Sequence, residues 1–214
     1  MGKQKCLILG AGGQCKVILS LLQEGNARFL PFGVIDDVLH KNEKVLSVPV
    51  LGGISWLEKY YEDGIKNIFL AIGDNVRRKS MFDLVKSAGF DCPNLISDKA
   101  NVSKSAELGE ANIICPFVNV GPQVKILDNN IINTHSTIEH ETVIRSHCHV
   151  APMTVVSGRS QLGDFVFLGA GTTLIDKISI VAKTTVAAGS VVINDIENPG
   201  YLYAGAPAIN KKRI

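Results

Sequence analysis

Four of the five histidines lie between positions 135 and 149, and one of them stands between two carboxylates. His140 is flanked by Glu139 and Glu141. A histidine held by a carboxylate can take up a proton near neutral pH and is stabilised once it is protonated. In an extended chain both carboxylates point away from His140, so one of them must reach it around a corner or through a neighbouring chain. The pattern predicts a general base, with a solvent-exposed histidine on a polar edge strand as the equal alternative.

The histidines and cysteines do not predict a metal site. His147 and His149 flank Cys148, but one strand supplies only two ligands at this spacing and no set of four ligands is evident. The five cysteines lack C-x-x-C pairing, which is typical of reduced thiols in a cytoplasmic protein. Cys148 is interpreted as a packing residue, because no basic partner that would activate it is evident.

A glycine-rich loop near the start predicts phosphate binding. Gly10, Gly12 and Gly13 follow an apolar run and precede a helical pattern, an arrangement that brings backbone N–H groups close to an anion. Cys15 replaces the third glycine of the dinucleotide fingerprint, which disfavours a nicotinamide cofactor. A turn that only permits close packing of strand and helix is the alternative.

Two further strand ends carry polar residues. Asp36 and Asp37 follow the second strand, where they could bind a ribose or a base edge, or could equally end the strand as a turn or cap. Gly73 and Asn75 follow the third strand. Because ligands gather at the carboxyl ends of parallel strands, the three ends together predict a mononucleotide site.

A six-residue repeat must position the histidines. Every sixth residue from Ile96 to Val192 is Ile, Leu or Val, which makes seventeen consecutive aliphatic positions. The positions four residues further on are mostly small or β-branched. This period predicts a parallel β-helix solenoid over residues 96–197, in which each hexapeptide forms one short strand.

The repeat also predicts which residues stack. If three hexads make one triangular coil, residues 18 apart lie above one another, so Gly158 lies above His140 and its N–H is a candidate donor to a carbonyl oxygen. His149 is half a coil away, on a different face. His140 and His149 can therefore share one site only across a subunit boundary, which predicts a cyclic oligomer, and the three-sided prism favours a trimer.

Residues 1–95 follow a different pattern, in which strands alternate with helices, and this predicts a small parallel α/β sheet. The predicted strands are Lys5 to Leu9, Phe32 to Ile35 and Asn67 to Ile72, and the predicted helices include Trp56 to Glu62 and Arg77 to Lys86. Pro199 and Gly200 end the solenoid, and residues 198–214 are expected to form a C-terminal tail.

The composition excludes several partners. A formal charge of +2 favours neither nucleic acid nor a membrane, and the basic residues 211–213 are interpreted as part of a solvated tail. The apolar run near Met1 is too short for a signal peptide or a membrane span, so a cytoplasmic protein is expected.

The chain resembles the NeuD/PglD-type hexapeptide-repeat sugar acetyltransferases over essentially its whole length. The resemblance rests on four segments, which are residues 10–18, residues 71–75 with Arg78 following, residues 136–141, and residues 204–208. The glycine loop departs from the family, which commonly carries His at the position of Gln14 and a small residue at that of Cys15. The fold implied is a Rossmann-like domain (1–95) followed by a left-handed β-helix (96–197).

The resemblance also implies roles for individual residues. His140 would be the general base and Glu141 its partner, with Asn133 and Glu139 in the same site. His149 would help to hold the acceptor or the acetyl donor, and the Gly158 amide would meet the thioester oxygen. The pantetheine arm would run beside Gly169, Ala170, Ala188 and Gly189. The N-terminal crevice, formed by Gly10, Gly12, Gly13, Asp36, Asp37, Gly73 and Asn75, would hold the nucleotide.

The expected function is acetyl transfer from acetyl-CoA to the 4-amino group of a nucleotide-linked 4-amino-6-deoxy sugar, in a homotrimer and without a metal. UDP is the first expectation for the nucleotide, with dTDP and GDP open. O-acetylation of a sialic acid or related sugar is one alternative. A non-catalytic scaffold or nucleotide sensor is the other.

Overall fold

The computed structural model describes residues 2–25, 28–41 and 43–214. The chain divides into two compact units, Met1–Leu95 and Ile96–Ile214, and each is described by itself. Within the described residues, no helix is long and apolar enough to cross a membrane.

The first unit is a five-stranded sheet with three α-helices. Its elements are β1 (Gln4–Leu9), α1 (Gly13–Glu24), β2 (Phe29–Ile35), β3 (Lys44–Val45), β4 (Val48–Gly52), a 3₁₀ turn (Ile54–Trp56), α2 (Leu57–Glu62), β5 (Asn67–Leu70) and α3 (Asn75–Ser87). The strand order is β3-β4-β2-β1-β5. All pairs are parallel except β3 with β4. The expected α/β architecture is confirmed.

The centre of this sheet is β1, which pairs with β2 on one side and β5 on the other. Its residues from Cys6 to Leu9 are buried, as expected of an apolar run in a parallel sheet that is covered on both faces. The β3–β4 hairpin was not predicted, because β3 has only two residues and β4 contains Pro49, so neither shows a strand pattern. The predicted second strand begins earlier, at Phe29, and the predicted third strand is β5 and ends at Leu70.

The second unit begins with one two-residue strand for each hexapeptide. These strands are β6 (Leu95–Ile96), β7 (Asn101–Val102), β8 (Glu107–Leu108), β9 (Ile113–Ile114), β10 (Asn119–Val120), β11 (Lys125–Ile126), β12 (Ile131–Ile132), β13 (Thr137–Ile138), β14 (Val143–Ile144), β15 (His149–Val150), β16 (Val155–Val156), β17 (Gln161–Leu162), β18 (Phe167–Leu168), β19 (Thr173–Leu174), β20 (Ser179–Ile180), β21 (Thr185–Val186) and β22 (Val191–Val192). Two longer strands follow, β23 (Tyr201–Ala204) and β24 (Ile209–Arg213).

These strands form the three faces of a prism. Face 1 is β7-β10-β13-β16-β19-β22, face 2 is β8-β11-β14-β17-β20, and face 3 is β6-β9-β12-β15-β18-β21-β23-β24. Strands pair in parallel with residues 18 positions apart, as Thr137 does with Val155 and Val143 with Gln161. The predicted solenoid with three hexapeptides per coil is therefore the observed fold.

The repeated aliphatic residues fill the interior of the prism. From Ile114 to Val192 every residue of the six-residue grid is buried. Ile96, Val102 and Leu108 are only half-buried, because the first coil has no coil beneath it.

Small hydroxyl side chains complete the interior where it narrows. Ser136, Thr154 and Thr172 are fully buried, and each donates a hydrogen bond to a backbone carbonyl. A buried hydroxyl without a partner would cost about 1–3 kcal/mol, so these bonds allow polar residues in the core. Left-handed backbone conformations turn the chain at the corners, with φ of 59° at His135, 58° at Glu141 and 65° at His147.

Residues 198–214, expected to form a tail, are part of the second unit. β23 pairs in parallel with β21 and so extends face 3, and β24 pairs with β23 in the antiparallel direction. The C-terminal segment therefore follows the solenoid and pairs with it, because the chain re-enters the sheet after Pro199 and Gly200.

Candidate active site

A histidine–glutamate pair lies at the corner between faces 1 and 2. His140 and Glu141 connect β13 to β14, and the left-handed conformation of Glu141 turns its carboxylate toward the preceding ring. The His140 Nδ1 and the Glu141 Oε2 are 3.0 Å apart, and the two side chains are 45% and 52% exposed. With Nδ1–H donating to the carboxylate, Nε2 is the basic nitrogen and is open to a ligand.

Gly158 lies one coil above His140, as the 18-residue period predicted. A Cβ at this position would be 2.6 Å from the His140 Cε1, so any side chain would displace the ring. The N–H of the next residue, Arg159, donates to the His140 carbonyl at 2.9 Å and holds the two coils together. Within the described part of the chain the Gly158 N–H donates no hydrogen bond, so it is available to a ligand oxygen.

Asn133 and His149 form a second pair, with Asn133 at the corner between faces 3 and 1 and His149 on face 3. The Asn133 Nδ2 is 3.5 Å from the His149 Nε2, and the Phe167 ring meets the His149 ring edge-on at 5.3 Å. This corner is not the corner of His140, so one prism does not bring the two pairs to a common corner. Glu139 precedes His140 at the end of β13 and is half-buried.

The corner above Asn133 is built from the small residues that were expected beside the pantetheine arm. Gly169, Ala170, Ala188 and Gly189 occupy two successive coils there, and the Gly189 N–H donates to the Ala170 carbonyl at 2.8 Å. A Cβ on Gly169 would collide with the backbone of Ala188. This glycine is therefore required by the stacking of the coils.

His147 and Cys148 take part in packing. The His147 Nδ1 is 3.0 Å from the Asn129 Nδ2, while the fully buried Cys148 donates its thiol proton to the Gly163 carbonyl at 3.1 Å. A substrate on the surface could not reach this sulfur. In the described ranges no group of three or more His, Cys, Asp or Glu side chains is arranged to hold a metal ion.

A cleft of about 260 Å³ in the first unit lies where β1, β2 and β5 end. The expected residues Gly10, Gly12, Asp36, Asp37 and Gly73 all line it. Three strand ends therefore converge on one crevice, as a parallel sheet requires.

The three carboxylates of the cleft hold its loops. The Asp36 Oδ2 accepts the Ala11 N–H at 2.8 Å, and its Oδ1 accepts the N–H groups of Val38 and Leu39. The Asp37 Oδ1 accepts the Ile54 N–H at 2.8 Å, and the Asp74 Oδ1 caps α3 through the Arg77 N–H at 2.7 Å. Asp36 and Asp37 therefore cap loops, as one of the two alternatives expected. They also line the cleft, so binding of a ribose or a base edge stays a prediction.

Two residues expected in the cleft do not line it. Gly13 begins α1, and Asn75 lies beneath the loop, where its Oδ1 accepts a hydrogen bond from Arg78 at 2.9 Å. Arg78 is 1% exposed and also donates to the carbonyls of Ile72 and Gly73, both at 3.1 Å. Asn75 and Arg78 thus hold the loop from below, and a contact between Asn75 and a ligand stays a prediction.

The cleft contains residues that sequence reasoning missed, among them Ile54, Arg77 and Met81. Their position shortly after a strand could have predicted this, because the first turns of a helix that follows a strand lie beside the carboxyl end of that strand. Next to the glycine loop, burial raises the pKa of the Cys15 thiol to about 12, so this residue is an inert packing group. The neighbouring Gln14 Nε2 is buried without a hydrogen-bond partner among the described atoms.

Comparison with known proteins shows which proteins this chain resembles. The model of the PglD N-terminal domain family matches residues 5–85. The chain is 33% identical over 84 residues to a probable UDP-3-O-acylglucosamine N-acyltransferase 2, mitochondrial, from Arabidopsis thaliana, covering 39% of this chain and 27% of that protein. It is 26% identical over 160 residues to the bifunctional protein GlmU of Buchnera aphidicola, covering 69% and 32%. The chain thus spans about a third or less of the length of these curated relatives.

Two solved structures match over nearly the full length. PerB from Caulobacter crescentus, in complex with CoA and GDP-perosamine, is 32% identical, with 97% of both chains covered and a TM-score of 0.91. The acetyltransferase domain of PglB from Neisseria gonorrhoeae, in complex with acetyl coenzyme A, is 27% identical, with 98% of this chain and 100% of that chain covered and a TM-score of 0.91.

The chain combines a Rossmann-like unit with a left-handed hexapeptide-repeat β-helix that carries a histidine–glutamate pair. This combination is typical of one class of acyltransferases. The full-length match to PerB and the PglD-type N-terminal domain narrow that class. The chain belongs to the NeuD/PglD-type hexapeptide-repeat sugar acetyltransferases.

Proposed function

We propose that the protein transfers the acetyl group of acetyl-CoA to the 4-amino group of a nucleotide-linked 4-amino-6-deoxy sugar. The observation that carries the proposal is the His140–Glu141 pair, with a Gly158 N–H one coil above it that donates no hydrogen bond within the described residues. Such a group supplies a base for the proton of the attacking nitrogen and a hydrogen-bond donor for the oxyanion of the acetyl group. The likeness to PerB, whose complex contains CoA and GDP-perosamine, supports this substrate class.

The proposed reaction is direct attack of the amine on the thioester. The amine nitrogen forms a bond to the acetyl carbon, and the His140 Nε2 takes the proton that the nitrogen loses. Glu141 stabilises the resulting imidazolium through Nδ1. The Gly158 N–H stabilises the oxyanion of the tetrahedral intermediate. The C–S bond then breaks, and the proton passes from His140 to the leaving thiolate of CoA. No enzyme nucleophile is needed, which agrees with the burial of Cys148.

The site is proposed to form between two subunits of a homotrimer. Asn133 and His149 lie at another corner of the prism than His140, so His140 of one subunit would meet Asn133 and His149 of the partner subunit. Asn133 and Glu139 would orient the acceptor sugar, and His149 would hold the acceptor or the acetyl donor. The pantetheine arm would run beside Gly169, Ala170, Ala188 and Gly189. A rotational assembly gives each subunit one complete site.

The cleft of the first unit is proposed to hold the nucleotide, with Gly10, Gly12, Asp36, Asp37 and Gly73 lining it and Gly13 next to them at the start of α1. UDP was the first expectation from the sequence. Because the complex of PerB contains GDP-perosamine, GDP is the second nucleotide to test.

The test is release of free thiol from acetyl-CoA in the presence of UDP-, dTDP- and GDP-linked 4-amino sugars. His140→Asn should lower kcat by about 10²–10⁴-fold, the range of a lost general base, with an unchanged melting temperature. The control is His40→Asn, which changes an exposed histidine of the first unit and should keep full activity. Full turnover by His140→Asn would remove His140 as the base. If no thiol is released with any of the three nucleotide series while acetyl-CoA still binds, a non-nucleotide acceptor such as a sialic acid would be favoured.

A further inference from the structure

The cleft of the first unit has an unusual charge arrangement for a nucleotide site. Among the described residues, its lining includes three carboxylates, Asp36, Asp37 and Asp74, and a single cation, Arg77. The carboxylates would repel a diphosphate at any unscreened distance. A nucleoside diphosphate in this cleft must therefore direct its phosphates toward the cationic side.

Arg77 is positioned for an anion and is not neutralised by the protein. Its side chain is exposed, and it forms no ion pair or side-chain hydrogen bond within the ranges that the structure describes. Its backbone, in contrast, is fixed, because the Arg77 N–H donates to the capping Asp74 at 2.7 Å. Arg77 therefore presents an exposed guanidinium to the cleft, on a backbone that the helix cap holds in place.

The neighbouring Arg78 holds the loop between β5 and α3, which lies next to Arg77. Its buried guanidinium holds the carbonyls of Ile72 and Gly73 from below. In a trans peptide the C=O and the following N–H point in opposite directions. Because the Gly73 carbonyl points toward Arg78, the N–H of Asp74 points away from it, and Asp74 lines the cleft.

The opposite wall of the cleft offers further donors. Gly12 caps α1 without a side-chain hydrogen bond, and the first turn of α1 contains no acidic residue. The N–H groups at this helix start therefore have no competing carboxylate of their own helix. Arg77 lies in the same cleft as Gly12.

We infer that Arg77 is the residue that binds the diphosphate of the nucleotide sugar, while Asp36 and Asp37 lie on the side of the ribose and base. Guanidinium groups bind phosphate oxygens with two parallel N–H donors, which a lysine cannot reproduce. The inference rests on the proposed function, because it assumes that the cleft holds the nucleotide.

The test compares nucleotides with and without phosphates on four proteins. Kd values are measured by calorimetry for GDP, UDP and dTDP and for the matching nucleosides, on wild type, Arg77→Ala, Arg77→Lys and Lys79→Ala. Lys79 is the matched control, because it is a cation of the same helix that pairs with Asp83 and does not line the cleft. Alanine favours helix at this exposed position, so the Arg77 variant should fold.

The expected result is a tenfold or greater loss of affinity for the nucleoside diphosphate in Arg77→Ala, with an intermediate loss in Arg77→Lys. The nucleoside Kd, the acetyl-CoA Kd and all values for Lys79→Ala should stay at wild-type levels. An Arg77→Ala protein that binds the diphosphate as tightly as wild type would overturn the inference and leave the proposed function standing. A wild-type protein that binds acetyl-CoA but none of the three diphosphates would instead overturn the nucleotide part of the proposed function.

Discussion

At the level of single residues, the candidate chemistry depends on one turn and one glycine. Glu141 reaches His140 because its backbone is left-handed, with φ of 58°, which places neighbouring side chains on the same side of a corner. Gly158 leaves room for the ring that this turn positions. Neither residue would be catalytic by its type alone, and the two form a candidate site because the prism has a corner at this point.

Gly158→Ala is expected to lower kcat by about 100-fold, the cost of misplacing a catalytic group by about 1 Å. The added methyl group would occupy the position of the His140 ring, so the ring must move while the coil stays folded. Steady-state kinetics and thermal unfolding of the variant measure the two effects. The control is Asp176→Ala, one coil higher at the same corner, where the half-exposed ion pairs with Arg159 and Lys177 are lost. Wild-type kcat in Gly158→Ala would argue against this position of the base.

At the level of elements, the six-residue grid carried nearly all of the fold information for the second unit. A strand of two residues has almost no stability of its own, and each coil is stable because its aliphatic residue is covered by the coils above and below. The same grid explains why the first coil differs, with Ile96 half-buried and Ile144 fully buried.

Truncation should therefore cost more in the middle of the solenoid than at its beginning. Ile144→Ala is expected to lower the free energy of unfolding by about 2–5 kcal/mol, the range for a large-to-small change in a packed core. Ile96→Ala should cost clearly less, because less of its side chain is removed from water. Urea unfolding followed by circular dichroism measures both. Equal losses for the two variants would contradict nearest-neighbour stacking as the source of stability.

At the level of the whole molecule, the separation of Asn133 and His149 from His140 has a functional consequence. The two pairs lie at different corners of one prism, so a complete site is proposed to need two subunits. The first unit has its own sheet and cleft, and this cleft is proposed to hold the nucleotide part of the substrate.

Subunit mixing tests this arrangement. His140→Ala and His149→Ala should each be inactive, but co-expression of the two should restore activity. In a random trimer about a quarter of the interfaces would combine the intact His140 of one subunit with the intact His149 of the next. Activity of the mixture is measured against each variant alone. Silence of mixed trimers, with exchange proven by differently tagged subunits, would place both histidines in sites within single chains or outside the site.

The sequence by itself determined the solenoid, its three-hexapeptide coil and the stacking of Gly158 over His140. These features follow from the six-residue period, which can be read directly from the order of residues along the chain. Only the tertiary structure decided that Asn75 turns inward to Arg78, that Asp36 and Asp37 cap loops, that Arg77 lines the cleft, and that β23 rejoins face 3. Each of these depends on hydrogen bonds or packing between segments set by loop geometry, and in such contacts several polar groups compete for the same partner.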